Sequence, residues 1–287
     1  MVEFLRLQAN RRLLLDGTAH VMGVLNVTPD SFYASSRVLV SDVVDRAARM
    51  VAAGVSILDV GGESTRPGAA YVGQEEELER VVPAIGELRC RWDIALSVDT
   101  RKAVVAQAAV AAGADMINDV AALGDDPDMA PFCAAAGLPV ILMHKKGIPA
   151  TMQEQPYYED CPAEVRHFLL ERAEYALSAG VAAECIILDP GIGFGKRLED
   201  NVALLNHLDS LVACGYPVLV GLSRKNFIGQ LTGRAIDERL AGSLAALLYA
   251  RLKGAVIFRV HDVVESVDAL RVFDALRKGG WANREFE

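Results

Sequence analysis

Eight short apolar runs in this chain each stop at a side chain able to bind or react. The stops are Asn26 after VMGVL, Asp59 after SIL, Asp99 after ALSV, Asn118 after DMI, His144 after PVILM and Asp189 after IIL. Ser223 and Lys225 follow PVLVGL, and Arg259 and His261 follow VIF. Asp99, Asn118 and Asp189 have no evident cationic neighbour in sequence, and carboxylates buried unpaired are costly. Together they suit a flat ligand rich in N–H donors. A carboxylate accepts two parallel bonds from an amidine-like edge, and an amide offers a donor and an acceptor. A guanine-like or pterin-like ring is read in this way. A metal triad is the competing chemistry, but no histidine cluster accompanies it. Taken singly, Asp99-Thr100-Arg101 could open a helix and Asn118-Asp119 could be a turn.

Other stops suit other tasks. Asn26 opens Asn-Val-Thr-Pro-Asp-Ser-Phe and offers a neutral oxygen to a hard cation such as Mg²⁺, or else an Asx turn before Pro29. Asp59-Val-Gly-Gly-Glu-Ser-Thr-Arg-Pro-Gly puts carboxylate, hydroxyl and guanidinium in one loop, with Ser64, Thr65, Arg66 and Pro67 as a stiff polar hook. A purely structural loop rarely needs all three groups. Gly191-Ile-Gly-Phe-Gly-Lys lacks phosphate-loop spacing; its Phe194 is read as a wall against an aromatic ligand, or a plug at the rim. Lys225 is either a Schiff-base nucleophile or a fixed cation. Alternation places Arg259 and His261 on one side, so both can meet an anion. Met143 and His144 close the fifth run, with His144 read as a structural histidine.

These groups need elements that carry them to one place. Segments of helical periodicity separate the runs, and six end in glycine: Gly54, Gly113, Gly137, Gly180, Gly215 and Gly254. Glycine there closes a helix in a left-handed turn. Strand then helix, about eight times in 287 residues, predicts an α/β fold, a (β/α)8 barrel, whose C-terminal strand ends form the active-site face. Residues 1–19 add a short hairpin, FLRLQ then RRLLLD with Gly17 at a turn, that plugs one end. No linker or compositional break divides 1–287, so one domain is expected. Ser41, Thr100 and Asp237 are read as helix openers. Val27–Val40 and Gly61–Gln74 are long loops on the mouth side.

Composition excludes other classes. No apolar run reaches the roughly 18–20 residues that cross a bilayer, and the first residues lack a signal peptide's apolar centre. Five scattered cysteines without a CxxC pair predict reduced thiols and a cytoplasmic location. A net charge of −9 argues against nucleic acid, so an anionic ligand must be met by the local cations Arg224, Lys225, Arg259 and His261.

NVTPDSF, DVGGESTRPGA, SVDT, INDV, LMH, TMQ, LDPGIGFGK, GLSRK and RVHDV, in order from Met22 to Asp262, resemble the signatures of the dihydropteroate synthase family, the folate-pathway target of sulfonamides. The resemblance implies condensation of 6-hydroxymethyl-7,8-dihydropterin diphosphate with p-aminobenzoate. It implies a pterin grip by Asp99, Asn118, Asp189 and Lys225 beside Met143, Phe194 and Gly221, with Arg259 stacked on the ring. Asn26, Arg66, Arg259 and His261 would hold the diphosphate, with Mg²⁺ at Asn26. Ser64, Thr65, Arg66, Pro67, Phe194 and Asn226 would shape the p-aminobenzoate slot. The catalytic set so implied is Asp99, Lys225, Arg259 and Asn26, in a homodimer. The first loop departs from the family pattern: Tyr33-Ala34-Ser35-Ser36 stands where Asp-Gly-Gly is frequent, and Asn226 replaces a common serine. The alternatives are a pterin-binding methyltransferase, which should not need the Ser-Thr-Arg-Pro hook, and a non-catalytic pterin-binding paralogue.

Overall fold

The computed structural model describes residues 2–27, 36–63, 71–147, 152 and 154–278, with backbone only for 36–41. In chain order the elements are β1 (Phe4–Arg6), β2 (Arg12–Leu14), β3 (His20–Asn26), α1 (Ser36–Ala53), β4 (Ile57–Gly61), α2 (Gln74–Arg91), β5 (Ala95–Asp99), α3 (Ala103–Ala111), β6 (Met116–Asp119) and α4 (Met129–Ala136). They continue with β7 (Val140–Met143), α5 (Cys161–Ser178), β8 (Ile186–Asp189), α6 (Leu198–Asn206), α7 (Leu208–Val212), β9 (Leu219–Gly221), α8 (Asn226–Thr232), α9 (Leu240–Leu252), β10 (Ile257–Val260) and α10 (Val263–Lys278). The strands from β3 to β10 run parallel in the order 8-7-6-5-4-3-10-9. A bridge between Leu188 and Val218 joins the two edges, so the sheet closes on itself. This is the expected (β/α)8 barrel.

Side chains two apart on a strand face the same way, and this rule builds the barrel interior. Met22, Ile57, Ala95, Met116, Ile141, Ile187, Leu219 and Ile257, one from each strand, form an apolar layer at the strand beginnings. Two residues further along each strand come Val24, Asp59, Ser97, Asn118, Met143, Asp189, Gly221 and Arg259. Two further still come Asn26, Gly61, Asp99, Val120, Gly191, Ser223 and His261. The interior therefore changes from oil to polar groups within two steps, at the C-terminal ends.

Leu5 and Leu7 of the hairpin are buried against the apolar layer and close the bottom. Asp115, fully buried, pins this plug: it accepts from Arg11 Nη2 at 2.5 Å, Arg89 Nη2 at 2.5 Å, Leu96 N at 3.0 Å and Gln8 N at 3.2 Å. The hairpin turns at residues 8–10, where Ala9 and Asn10 take positive φ. Gly17 (φ 87°) turns the chain afterwards into β3.

The six helix-ending glycines all have positive φ, from 61° at Gly137 to 116° at Gly113. Helix beginnings differ from expectation. The first helix starts at Ser36, because no glycine or proline interrupts the chain before Ser41. Thr100 instead accepts from Lys102 N at 3.2 Å, and α3 starts at Ala103, whose N–H is taken by Asp126 at 2.7 Å. Asp237 lies in a single 3-10 turn ahead of α9. Among the described residues no helix is long and apolar enough to cross a membrane.

Replacing Asp115 by Asn takes the buried carboxylate from Arg11 and Arg89 at the barrel floor and leaves them only the exposed Asp93. Thermal unfolding of D115N should show a loss of about 3 kcal/mol, lowering Tm by roughly 5–10 °C. Chemistry at the opposite end should be spared at 25 °C.

Candidate active site

The polar layers converge on Arg259. Its Nε donates to Asp59 Oδ2 at 2.6 Å and its Nη2 to Asp99 Oδ2 at 2.6 Å. Burial opposes the guanidinium charge, but the two carboxylates more than offset it and hold the Arg259 pKa above its ordinary value. Asp99 moves the other way. Burial pushes its pKa up, Arg259 pulls it back, and the like charge of Asp59 pushes it up again. Asp99 thus has a cationic partner that sequence proximity could not show, delivered from the last strand.

Beside this cluster lies a cavity lined by Val24, Asn118, Val120, Met143, Asp189, Gly191, Ile192, Phe194, Gly221, Ser223, Lys225, Arg259 and His261. Asn118 Nδ2 donates to Asp59 Oδ2 at 3.2 Å. Asp189 Oδ1 accepts from Gly191 N at 2.7 Å, and burial raises its pKa. Lys225 Nζ sits 4.2 Å from the centre of the Phe194 ring, a cation–π contact. Burial lowers the Lys225 pKa to about 8, against the attraction of Asp189 and with the repulsion of Arg259.

The glycine-rich loop after β8 is held by close backbone contacts and a buried amine. A Cβ on Gly191 (φ 63°) would lie 1.9 Å from the His144 carbonyl oxygen, and one on Gly195 2.1 Å from that of Lys146. Lys196 Nζ, buried beneath, donates to Gly191 O at 2.9 Å, Phe194 O at 3.1 Å and His144 Nδ1 at 2.8 Å. Burial takes the His144 pKa down to about 3, with the Lys196 charge acting the same way, so the ring is a neutral acceptor. Burial likewise lowers Lys196 to about 7. His144 is the structural histidine expected, and Phe194 forms a wall of the cavity as its flanking glycines suggested.

Comparison with known proteins identifies the architecture. A family model described as pterin binding enzyme matches residues 22–261. Dihydropteroate synthase of Escherichia coli K12 is 48% identical over 257 residues, covering 89% of this chain and 91% of the relative. Dihydropteroate synthase of Xanthomonas albilineans with 4-aminobenzoic acid superposes with a TM-score of 0.89 at 48% identity, over 96% of this chain and 99% of that one. The same enzyme in complex with 7,8-dihydropteroate gives 0.86 at 46%, over 96% and 98%. The chain belongs to the dihydropteroate synthase family.

Within that family frame, the expected residues fall into three groups. Asn118, Met143, Asp189, Phe194, Gly221, Lys225, Arg259 and His261 line one cavity. Asp99 faces this space only through Arg259. Asn26, at the end of β3, is half-buried; its backbone carbonyl accepts from Arg46 Nη1 at 3.5 Å. Asn226 is exposed at the first turn of α8 and does not line the cavity. Ser64, Thr65, Arg66 and Pro67 lie outside the described residues, as does the variant stretch Tyr33-Ala34-Ser35. Glu63, the carboxylate of that second loop, is engaged at the loop's base by Lys102 Nζ at 2.7 Å and Arg101 Nη2 at 3.1 Å. Burial raises its pKa, but the two cations overcome this and leave it below the usual carboxylate range.

Two residues take roles other than those expected, Arg224 having been read as a cation for an anionic ligand. Asp59, expected as part of the polar second loop, is the fully buried partner of Arg259 and Asn118; its place two residues after Ile57, on the inward face, was the available signal. Arg224 is the second. In αL conformation (φ 55°), it pairs with Asp262 through Nε at 2.9 Å and Nη2 at 2.7 Å. That pair locks the loop bearing Lys225 to the loop bearing His261.

Proposed function

We propose that the cavity binds the ring of 6-hydroxymethyl-7,8-dihydropterin diphosphate and that the chain condenses this substrate with p-aminobenzoate to 7,8-dihydropteroate and pyrophosphate. The observation that carries the reading is the gathering of Asn118, Asp189, Lys225 and Arg259 around one cavity. Asp189 accepts from ring N–H groups, Asn118 adds an amide, and Lys225 donates to a ring acceptor. Met143 and Phe194 supply apolar walls, and the Arg259 plane stacks well on an aromatic face.

Above the ring site, His261 and Arg259 lie on the side where the diphosphate would project, and Arg66 is proposed as a further cation for that group. Asn26 offers one neutral amide oxygen. Among the described residues no group of three His, Cys, Asp or Glu could hold a metal ion. A Mg²⁺ arriving with the diphosphate fits this donor set, because Mg²⁺ takes few protein ligands and fills its shell with phosphate oxygens and water. Bound there, it would help neutralise the leaving group.

In the reaction the C–O bond to the diphosphate breaks and its electron pair leaves with pyrophosphate. The aromatic amine then forms the new C–N bond at the methylene carbon and loses a proton. Arg259 and His261 stabilise the growing anion. Asp99, Asp59 and Asp189 place negative potential beside the developing pterin methylene cation without bonding to it. Lys225 acts as a hydrogen-bonding cation and not a Schiff base. The remaining slot, for p-aminobenzoate, would use Phe194, Asn226 and Ser64 to Pro67, positioning the amine for attack.

The chain is proposed to work as a homodimer in the cytoplasm. The location rests on five unpaired cysteines. For the dimer, α6, α8 and α9 present an apolar groove that includes Leu205, Phe227, Ala246, Tyr249 and Leu231, the last at 60% exposure.

The decisive test is incubation with dihydropterin diphosphate, p-aminobenzoate and Mg²⁺. Dihydropteroate should accumulate, while borohydride should trap no adduct on Lys225; no product at high enzyme concentration overturns the reading. For the pH profile, a lysine whose pKa is lowered loses its charge sooner, so kcat/KM for the pterin substrate should fall as pH rises through about 8. K225R, which stays charged, should lose that alkaline limb while turning over about tenfold more slowly. Sedimentation should give a dimer for the native chain and a monomer for L231E.

A further inference from the structure

Asp59 sits on the inward face of β4 and has no exposure to solvent. Unlike its inward neighbours Asn118, Asp189 and Arg259, it does not line the cavity. One of its oxygens, Oδ2, takes both the Arg259 Nε–H and the Asn118 Nδ2–H. The other, Oδ1, is buried with no hydrogen-bond partner. Leaving a carboxylate oxygen unsatisfied in the interior is expensive, and such groups persist where a function needs them.

The function follows from what a carboxylate can do. An ionised carboxylate only accepts, whereas a carboxamide has a donor end and an acceptor end. With Asp59 behind it, the Asn118 amide must turn Nδ2 towards β4. Its Oδ1, which has no partner among the described residues, is then the end left for the cavity. The neighbouring Asp189 is also an acceptor there, and Lys225 is a donor. We propose that Asp59 is a positioning residue that sets pterin specificity, by locking the Asn118 amide with its oxygen towards the ligand so that this point accepts only an N–H. An asparagine at 59 would remove the lock, since its own amide can face Asn118 either way. The inference rests on the pterin-condensing reading and assigns Asp59 no contact with substrate.

The test is a cycle of D59N, N118A and the double variant, measured beside the native enzyme. D59N should raise KM for dihydropterin diphosphate about 100-fold, the scale of a hydrogen bond to a charged group turned into a mismatch. KM for p-aminobenzoate should stay within about twofold. In the N118A background, D59N should add less than about threefold, because the amide through which it acts is gone. An unchanged pterin KM, equal rises in both KM values, or a full effect persisting in N118A each overturns the proposal. The last would assign the effect to Arg259. Should D59N fail to fold, D59S is read by the same cycle, because its hydroxyl and any water filling the space can donate as well as accept and so leave the Asn118 amide free to face either way. A native enzyme that makes no dihydropteroate removes the underlying reading and this inference with it; a native enzyme that turns over beside an indifferent D59N removes this inference alone.

Discussion

The site depends on one guanidinium shared between two carboxylates. Arg259, from the last strand, reaches past β3 to Asp59 on β4 and Asp99 on β5, two and three strands round the ring. The three groups are far apart in sequence and become neighbours only when the barrel closes. A buried ion pair is weak evidence of stability, because desolvation consumes most of the Coulomb gain. The better account of this triad is geometric. Two fixed acceptors hold a long side chain that would otherwise sample many rotamers, and hold its flat face at the cavity wall.

Support for the mouth comes from further buried charges, each tying one loop to another. Lys196 gathers carbonyls of the glycine-rich loop under His144. Arg224 and Asp262 join the loops after β9 and β10. Lys102 binds both Glu63 and Glu77, so the second mouth loop grows from a base fixed to α2 and to the start of α3. Side chains that bind ligands must be held to within fractions of an ångström. Here the strands fix the cavity-lining groups and the buried cations fix the turns that follow them.

The barrel was legible in the sequence because its two periods are both written there: apolar runs of strand length, and helices punctuated by glycines that do take positive φ. The convergence of Asn118, Asp189, Lys225 and Arg259 was legible for the same reason, since polar residues ending parallel strands can only meet at one face. Helix starts were less legible. The Ala103 N–H at the start of α3 is capped by Asp126, from the loop after β6, and no local pattern announces a cap supplied across the fold. The role of Asp59 was hidden by a similar cause. It looks like a loop-opening aspartate in sequence, yet alternation from Ile57 carries it inward, into the layer that holds Asn118 and Arg259. Asp99 is paired with Arg259, a contact between residues 160 positions apart that no local pattern announces.

Charge balance explains why the covering arginine does not simply neutralise the site. Three carboxylates, Asp59, Asp99 and Asp189, stand against two cationic side chains, Arg259 and Lys225, within a poorly solvated space. The excess shows in the groups themselves: burial and the like charge of Asp59 raise Asp99 despite its contact with arginine. A second arginine in place of a neutral neighbour would remove the penalty, but it would also repel any cation formed in the cavity. An unsatisfied negative potential is of use only to a ligand that brings N–H donors in its ground state and gains positive charge as it reacts. A dihydropterin losing diphosphate does both, so the charge that burdens the folded barrel becomes, on the way to product, the complement of what forms there.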